Sequence, residues 1–200
     1  NQVRDSLIAI TCIADNLSLI SDDENLRTVT QEFGGQAISF QQFLKGKYRE
    51  FKDTEIGRIP KEWKVAMLGD IVEIDKESRD PTREIPDKTF LYIDIDSVEG
   101  GTGKIRSPKR VLGKEGPSRA RRVIRENDVV MSTVRPYLKA FAIVPKEYDN
   151  QICSTGFAVL SCRDSVLPYF LLNVLFSNQV ITQCNKMMMG GQYPALNQSQ

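Results

Sequence analysis

Asp94 and Asp96 stand two residues apart. On a strand that spacing would turn both carboxylates to one face, where they could hold a divalent metal for nuclease chemistry. The common carboxylate–lysine form of that chemistry also needs an acidic-x-lysine triplet, and neither aspartate has a lysine two residues on. Both are expected instead to cap the turn after a strand. Gly100-Gly101-Thr102-Gly103-Lys104 invites a phosphate-loop reading, which needs Ser or Thr after the lysine and a glycine five residues before the second glycine. Ile105 and Val98 stand there, so the run reads as a glycine-rich β-turn. Ser154-Thr155 finds no base, because the 200 residues include no histidine. That absence removes serine–histidine and cysteine–histidine dyads and every histidine metal site. Cys12, Cys153, Cys162 and Cys184 show no paired spacing and read as reduced core thiols of a cytoplasmic protein. No catalytic residue, metal or cofactor of the chain's own is expected.

What remains is recognition. The net charge of +1 hides an asymmetry: residues 1–100 carry 13 basic and 20 acidic residues, residues 101–200 carry 14 and 6. A split of this kind points the basic half toward nucleic acid or an acidic partner. Three turns supply suitable side chains. The first is a basic loop over 104–125, the second the tip Arg135-Pro136-Tyr137-Leu138-Lys139, and the third the stretch from Lys186 to Asn197 around Gly190-Gly191. Lysine and arginine neutralise phosphates, while Arg, Gln, Asn and Tyr reach base edges. The expected base readers are Arg121, Arg122, Arg135, Tyr137, Gln192 and Tyr193. The expected phosphate contacts are Lys104, Arg106, Lys109, Arg110, Arg119, Lys139 and Lys186.

The elements that must position these residues follow from periodicity. Apolar residues from Leu7 to Ile20 recur near helical spacing, and residues 1–50 read as a helical appendage with a charged connector at its end. Gly57-Arg58-Ile59-Pro60 is a turn signal, and Trp63 after it is expected to anchor packing. Strands are expected over 89–95, 129–134, 141–144 and 152–161. A long amphipathic helix should open near Pro168 and stop at Gly190-Gly191. The fold class is α+β: a small mixed or antiparallel β-rich domain over 51–200, closed by that helix. No stretch of 18 apolar residues spans a membrane. Asn1 at the start and Gln198-Ser199-Gln200 at the end suggest a fragment.

Thr54-Glu55-Ile56-Gly57-Arg58-Ile59-Pro60-Lys61-Glu62-Trp63 with Leu68-Gly69-Asp70-Ile71 resembles the opening of a target recognition domain from the specificity subunits of type I restriction–modification systems. Arg122 followed by Asn127-Asp128-Val129-Val130-Met131-Ser132 is similar to a family segment with glycine where Asn127 stands. Val134-Arg135-Pro136, Ala142-Ile143-Val144, Cys153-Ser154-Thr155-Gly156-Phe157, Pro168-Tyr169-Phe170-Leu171 and Gly190-Gly191-Gln192-Tyr193-Pro194-Ala195-Leu196-Asn197 continue it in order, over residues 50–198. The resemblance implies a non-catalytic reader of one half of a bipartite double-stranded DNA target. It implies docking to methyltransferase subunits that use S-adenosylmethionine and to restriction–motor subunits that use ATP and magnesium. Base flipping by such a partner needs a grip on the duplex beside the target. Two other classes stay open: a restriction endonuclease or methyltransferase fragment sharing this domain, and a protein-interaction module for an acidic partner.

Overall fold

A computed structural model describes residues 18–20, 24–32, 34–39, 42, 46 and 50–188. Contacts divide the chain between Val65 and Ala66. In the first unit β1 (Ser18–Ile20) and β2 (Gln36–Ile38) pair in parallel, and α1 (Glu24–Glu32) lies between them in sequence. The described part of the expected helical appendage is thus helix and strand together, and the helix expected from Leu7 lies outside the described residues. Residues 57–60, expected as a turn, are β4 (Gly57–Pro60) of a hairpin with β3 (Phe51–Thr54). The turn is Glu55-Ile56, one step earlier, and Gly57 with φ +108° leaves it. The hairpin closes on itself and belongs to this unit, so the division falls later than the 50/51 boundary expected. Trp63 is half-buried.

The second unit begins with α2 (Leu68–Ile71) and β5 (Val72–Ile74), then α3 (Pro81–Glu84), where Asp80 caps the helix from the Thr82 N–H. There follow β6 (Thr89–Ile93), β7 (Val98–Glu99), β8 (Lys104–Ile105), β9 (Lys109–Leu112), β10 (Ala120–Ile124), β11 (Val129–Ser132), β12 (Phe141–Ile143), β13 (Gln151–Ser154) and β14 (Phe157–Cys162). Two helices end it, α4 (Pro168–Phe176) and α5 (Asn178–Met187). One sheet runs β10-β13-β6-β9, mixed because β13 and β6 are parallel; the other, β12-β11-β14-β5, is antiparallel throughout. The expected α+β class and mixed sheet are what the chain adopts.

Side-chain alternation builds three apolar clusters. Val129, Met131, Phe141, Ile143, Ala158 and Leu160 face α4 and α5, while Val130, Ala142, Phe157 and Val159 on the same strands meet Ile93, Ile124 and Cys153 of the other sheet. Phe90, Tyr92 and Ile152 cover that sheet's outer side. The antiparallel sheet is therefore buried on both faces, which is why its strands read as unbroken apolar runs.

Three expectations change. The strand expected over 152–161 is β13 and β14, because Thr155-Gly156 turns the chain from one sheet into the other. The helix expected beyond Pro168 is two: Ser177 is extended, with φ −62° and ψ 146°, and its hydroxyl accepts from the Val180 N–H, capping a new helix. The basic loop over 104–125 consists largely of β8, β9 and β10. Asn127 has φ +69°, a left-handed conformation that explains glycine at the matching family position and that Asn tolerates best among the rest.

Candidate nucleic-acid interface

The strand register gathers a set of turns at one end of both sheets. The end of β6, the start of β9, the start of β10 and the end of β13 coincide there, since Tyr92 pairs Lys109, Cys153 pairs Ile93 and Ala120 pairs Ser154. Ser132 pairs Phe157 at the same end, and the Thr133 N–H and hydroxyl both donate to the Gly156 carbonyl. Residues 94–97, 106–108, 117–119, 133–139 and 155–156 thus share one edge. The opposite end carries Glu126, Glu147 and Asp149 together with Arg125 and Lys146, a mixture of both signs.

The 135–139 turn has two left-handed residues, Arg135 (φ +48°) and Lys139 (φ +53°), which flank a 3-10 turn over Pro136–Leu138. Its support is the glycine run read above as a β-turn. The Gly101 N–H donates to the Lys139 carbonyl at 2.9 Å, and a Cβ at Gly100 would sit 2.5 Å from the Leu138 carbonyl oxygen. The run serves close backbone packing, not phosphate binding. Tyr137 is 45% exposed at the tip.

Geometry separates the expected contacts. Arg122 is 13% exposed in its side chain: it pairs with Asp75 at 2.7 Å and donates to the Phe157 carbonyl, joining β10 of one sheet to β14 of the other. Asp75 also accepts from the Val159 N–H, and burial pushes its carboxyl above the usual aspartate range against the pull of these partners. Arg122 is a structural pin and cannot reach a base edge. Arg121 donates to the Ala120 carbonyl at 2.9 Å and lies 3.4 Å from Asp80. Lys139 donates to the Phe176 carbonyl at the end of α4 and is a helix cap rather than a phosphate contact. Lys109 pairs with Asp94 and Arg106 with Glu99. Asp94 caps the 3-10 turn over Ile95–Ser97, accepting from the Ser97 N–H, while Asp96 lies within that turn, so the two aspartates do not share a strand face. Arg110 and Arg119 are exposed with no side-chain partner among the described residues, and Lys104 and Lys186 are also exposed. Gln192 and Tyr193 lie outside the described residues.

Apolar periodicity predicts the last helix but draws no attention to its other side. Asn178, Gln179, Thr182, Gln183 and Lys186 are exposed on α5 and line an open groove. The signal available in sequence was charge: no acidic residue follows Asp164. No group of three or more His, Cys, Asp or Glu side chains among the described residues is arranged to hold a metal. Desolvation pushes the buried Cys153 thiol far above its ordinary range, so it is no nucleophile. Among the described residues no helix is long and apolar enough to cross a membrane.

No family model matches the chain. The type I restriction enzyme HindI specificity subunit of Haemophilus influenzae is 27% identical over 129 residues, which are 59% of this chain and 25% of that protein. Two solved structures match at 42% identity, each over 70% of this chain and 36% of the solved chain. One, with a TM-score of 0.65, comes from work on complex assembly and conformational transition of the type I R-M system. The other, with a TM-score of 0.63, is the HsdS subunit from Thermoanaerobacter tengcongensis. The chain thus spans about a quarter to a third of the length of these relatives. Similarity in sequence and fold together leads to one conclusion: over most of its length the chain is similar to part of a type I restriction–modification specificity subunit.

Proposed function

We propose that this chain reads one half of a bipartite double-stranded DNA target for a type I restriction–modification complex, with no chemistry of its own. Specificity subunits are the non-catalytic DNA-recognition components of their systems. The observation that carries the reading is the 42% identity to the solved type I structures over 70% of the chain. The basic, turn-rich edge supports it, with Arg110 and Arg119 exposed. Methyltransferase and restriction subunits are the proposed protein partners. The exposed apolar side chains on α4, Tyr169 (70%) and Phe170 (48%), have the composition of a protein-facing patch.

The test is selection of the full chain against a random duplex pool, then anisotropy titration of the winner at two salt concentrations. The expected result is an enriched motif of a few adjacent base pairs, with affinity falling steeply as salt rises. Binding without an enriched motif would reduce the chain to a backbone grip. Absence of binding at low salt would overturn the DNA reading and favour an acidic protein partner.

A further inference from the structure

Helix α5 differs from an ordinary solvated helix in what it exposes. At about 100° per residue, Asn178, Gln179, Thr182, Gln183 and Lys186 fall within an arc of about 140°, and Ile181 and Cys184 are buried on the other side. The arc holds carboxamides, a hydroxyl and one ammonium, with no carboxylate. Helix α1, by contrast, carries Glu24 and Glu32 together with Arg27 in nine residues, the mixed charge that solubility alone favours. The arc has no aromatic or aliphatic anchor of the kind that centres a protein interface. The turn over 136–138, which carries Tyr137, packs against α5.

We infer that α5 is the base-reading helix of this domain, laid along the major groove with Gln179, Thr182, Gln183 and Lys186 toward base edges. The inference rests on the DNA-recognition reading above and names its site. Asn and Gln pair bidentately with adenine, Lys with guanine, and Thr accepts either hydrogen bonding or the thymine methyl. A helix fits the major groove, and ten residues at 1.5 Å each span roughly 15 Å, or about four base pairs. An acid-free face on the helix matters, because one carboxylate in the groove would face phosphates on both sides. Lys139 fixes the helix junction by donating to the Phe176 carbonyl, two residues before α5 begins.

The test compares selected motifs. The full chain and its Gln179→Ala/Gln183→Ala variant are each selected against the random duplex pool, with circular dichroism and melting confirming that both fold. The expected outcome is that the variant loses preference at one or two adjacent positions. It should bind the parental winner at least about tenfold more weakly, with binding to unrelated duplex unchanged. Gln183→Glu should weaken binding to every duplex. The parental motif and affinity retained by the double variant would overturn the inference and leave the recognition reading standing. A uniform loss on all duplexes with the motif kept would also overturn it, making α5 a backbone contact. No motif from the parental chain would overturn both.

Discussion

The strip 104–125 and the edge formed by the 135–139 turn with α5 make an instructive pair. The first has nine basic residues against one acidic residue, yet five of the nine are paired with the protein's own carboxylates. Arg122 is spent on Asp75, Arg121 on Asp80, Lys109 on Asp94, Arg106 on Glu99 and Arg125 on Glu77. The acids that neutralise it come from residues 75–99, in the acidic half of the sequence. The second region has three cations and little to attract notice, but its exposed groups are of the chemical types that can discriminate bases. Charge density along a chain measures what must be compensated, and only the fold says whether protein or ligand compensates it.

The largest effect that would test this contrast is on stability. Arg122→Ala leaves Asp75 half-buried and unpaired between the sheets and should cost about 3 kcal/mol in urea unfolding. A near-neutral result would show that Arg122 is not a pin and reopen its role at the interface. Next comes salt dependence. Arg119→Ala and Arg110→Ala should leave stability within about 0.5 kcal/mol and each reduce the slope of log affinity against log salt by about one. Arg121→Ala should leave the slope unchanged; equal slopes for all three would erase the distinction between inward and outward charge.

The smallest effect is in acid. Burial raises the Asp94 carboxyl, but hydrogen bonds from Lys109 and Ser97 outweigh it and hold the group below its ordinary 3.8. Its stabilisation is therefore present above that value and lost as pH falls through the lower native one. Asp128 behaves oppositely: burial dominates over hydrogen bonds from Ser161 and Arg125, its pKa is raised, and its contribution fades as pH climbs through the raised value. Melting of Asp94→Asn and Asp128→Asn between about pH 3 and 6 should give difference curves of opposite slope. Parallel curves would mean that the two aspartates do not differ in this way.

How much of this was legible in advance depended on whether neighbours in sequence or in space decided it. The strands at 89–93, 129–132 and 141–143 were readable because β-branched and aromatic runs fit a doubly covered sheet. The break at Thr155-Gly156 was hidden by apolar residues on both sides, and the break at Ser177 by continuous apolar periodicity through Phe176 and Ile181. Arg122 was misread because its partner Asp75 lies 47 residues away and meets it only after both sheets form. The amide face of α5 was visible in the letters, but amides carry no charge or hydrophobic signal to mark them.

None of the five polar residues on α5, nor Arg135 or Tyr137, belongs to any of the three apolar clusters. Frame and text are written in different residues. A lineage could therefore exchange the outward letters of α5 one at a time with the apolar frame unchanged, and drift to a new DNA target without passing through an unstable ancestor. The double burial of the antiparallel sheet makes the frame indifferent to such changes. The same separation lets an engineer rewrite the reading face while leaving the core untouched.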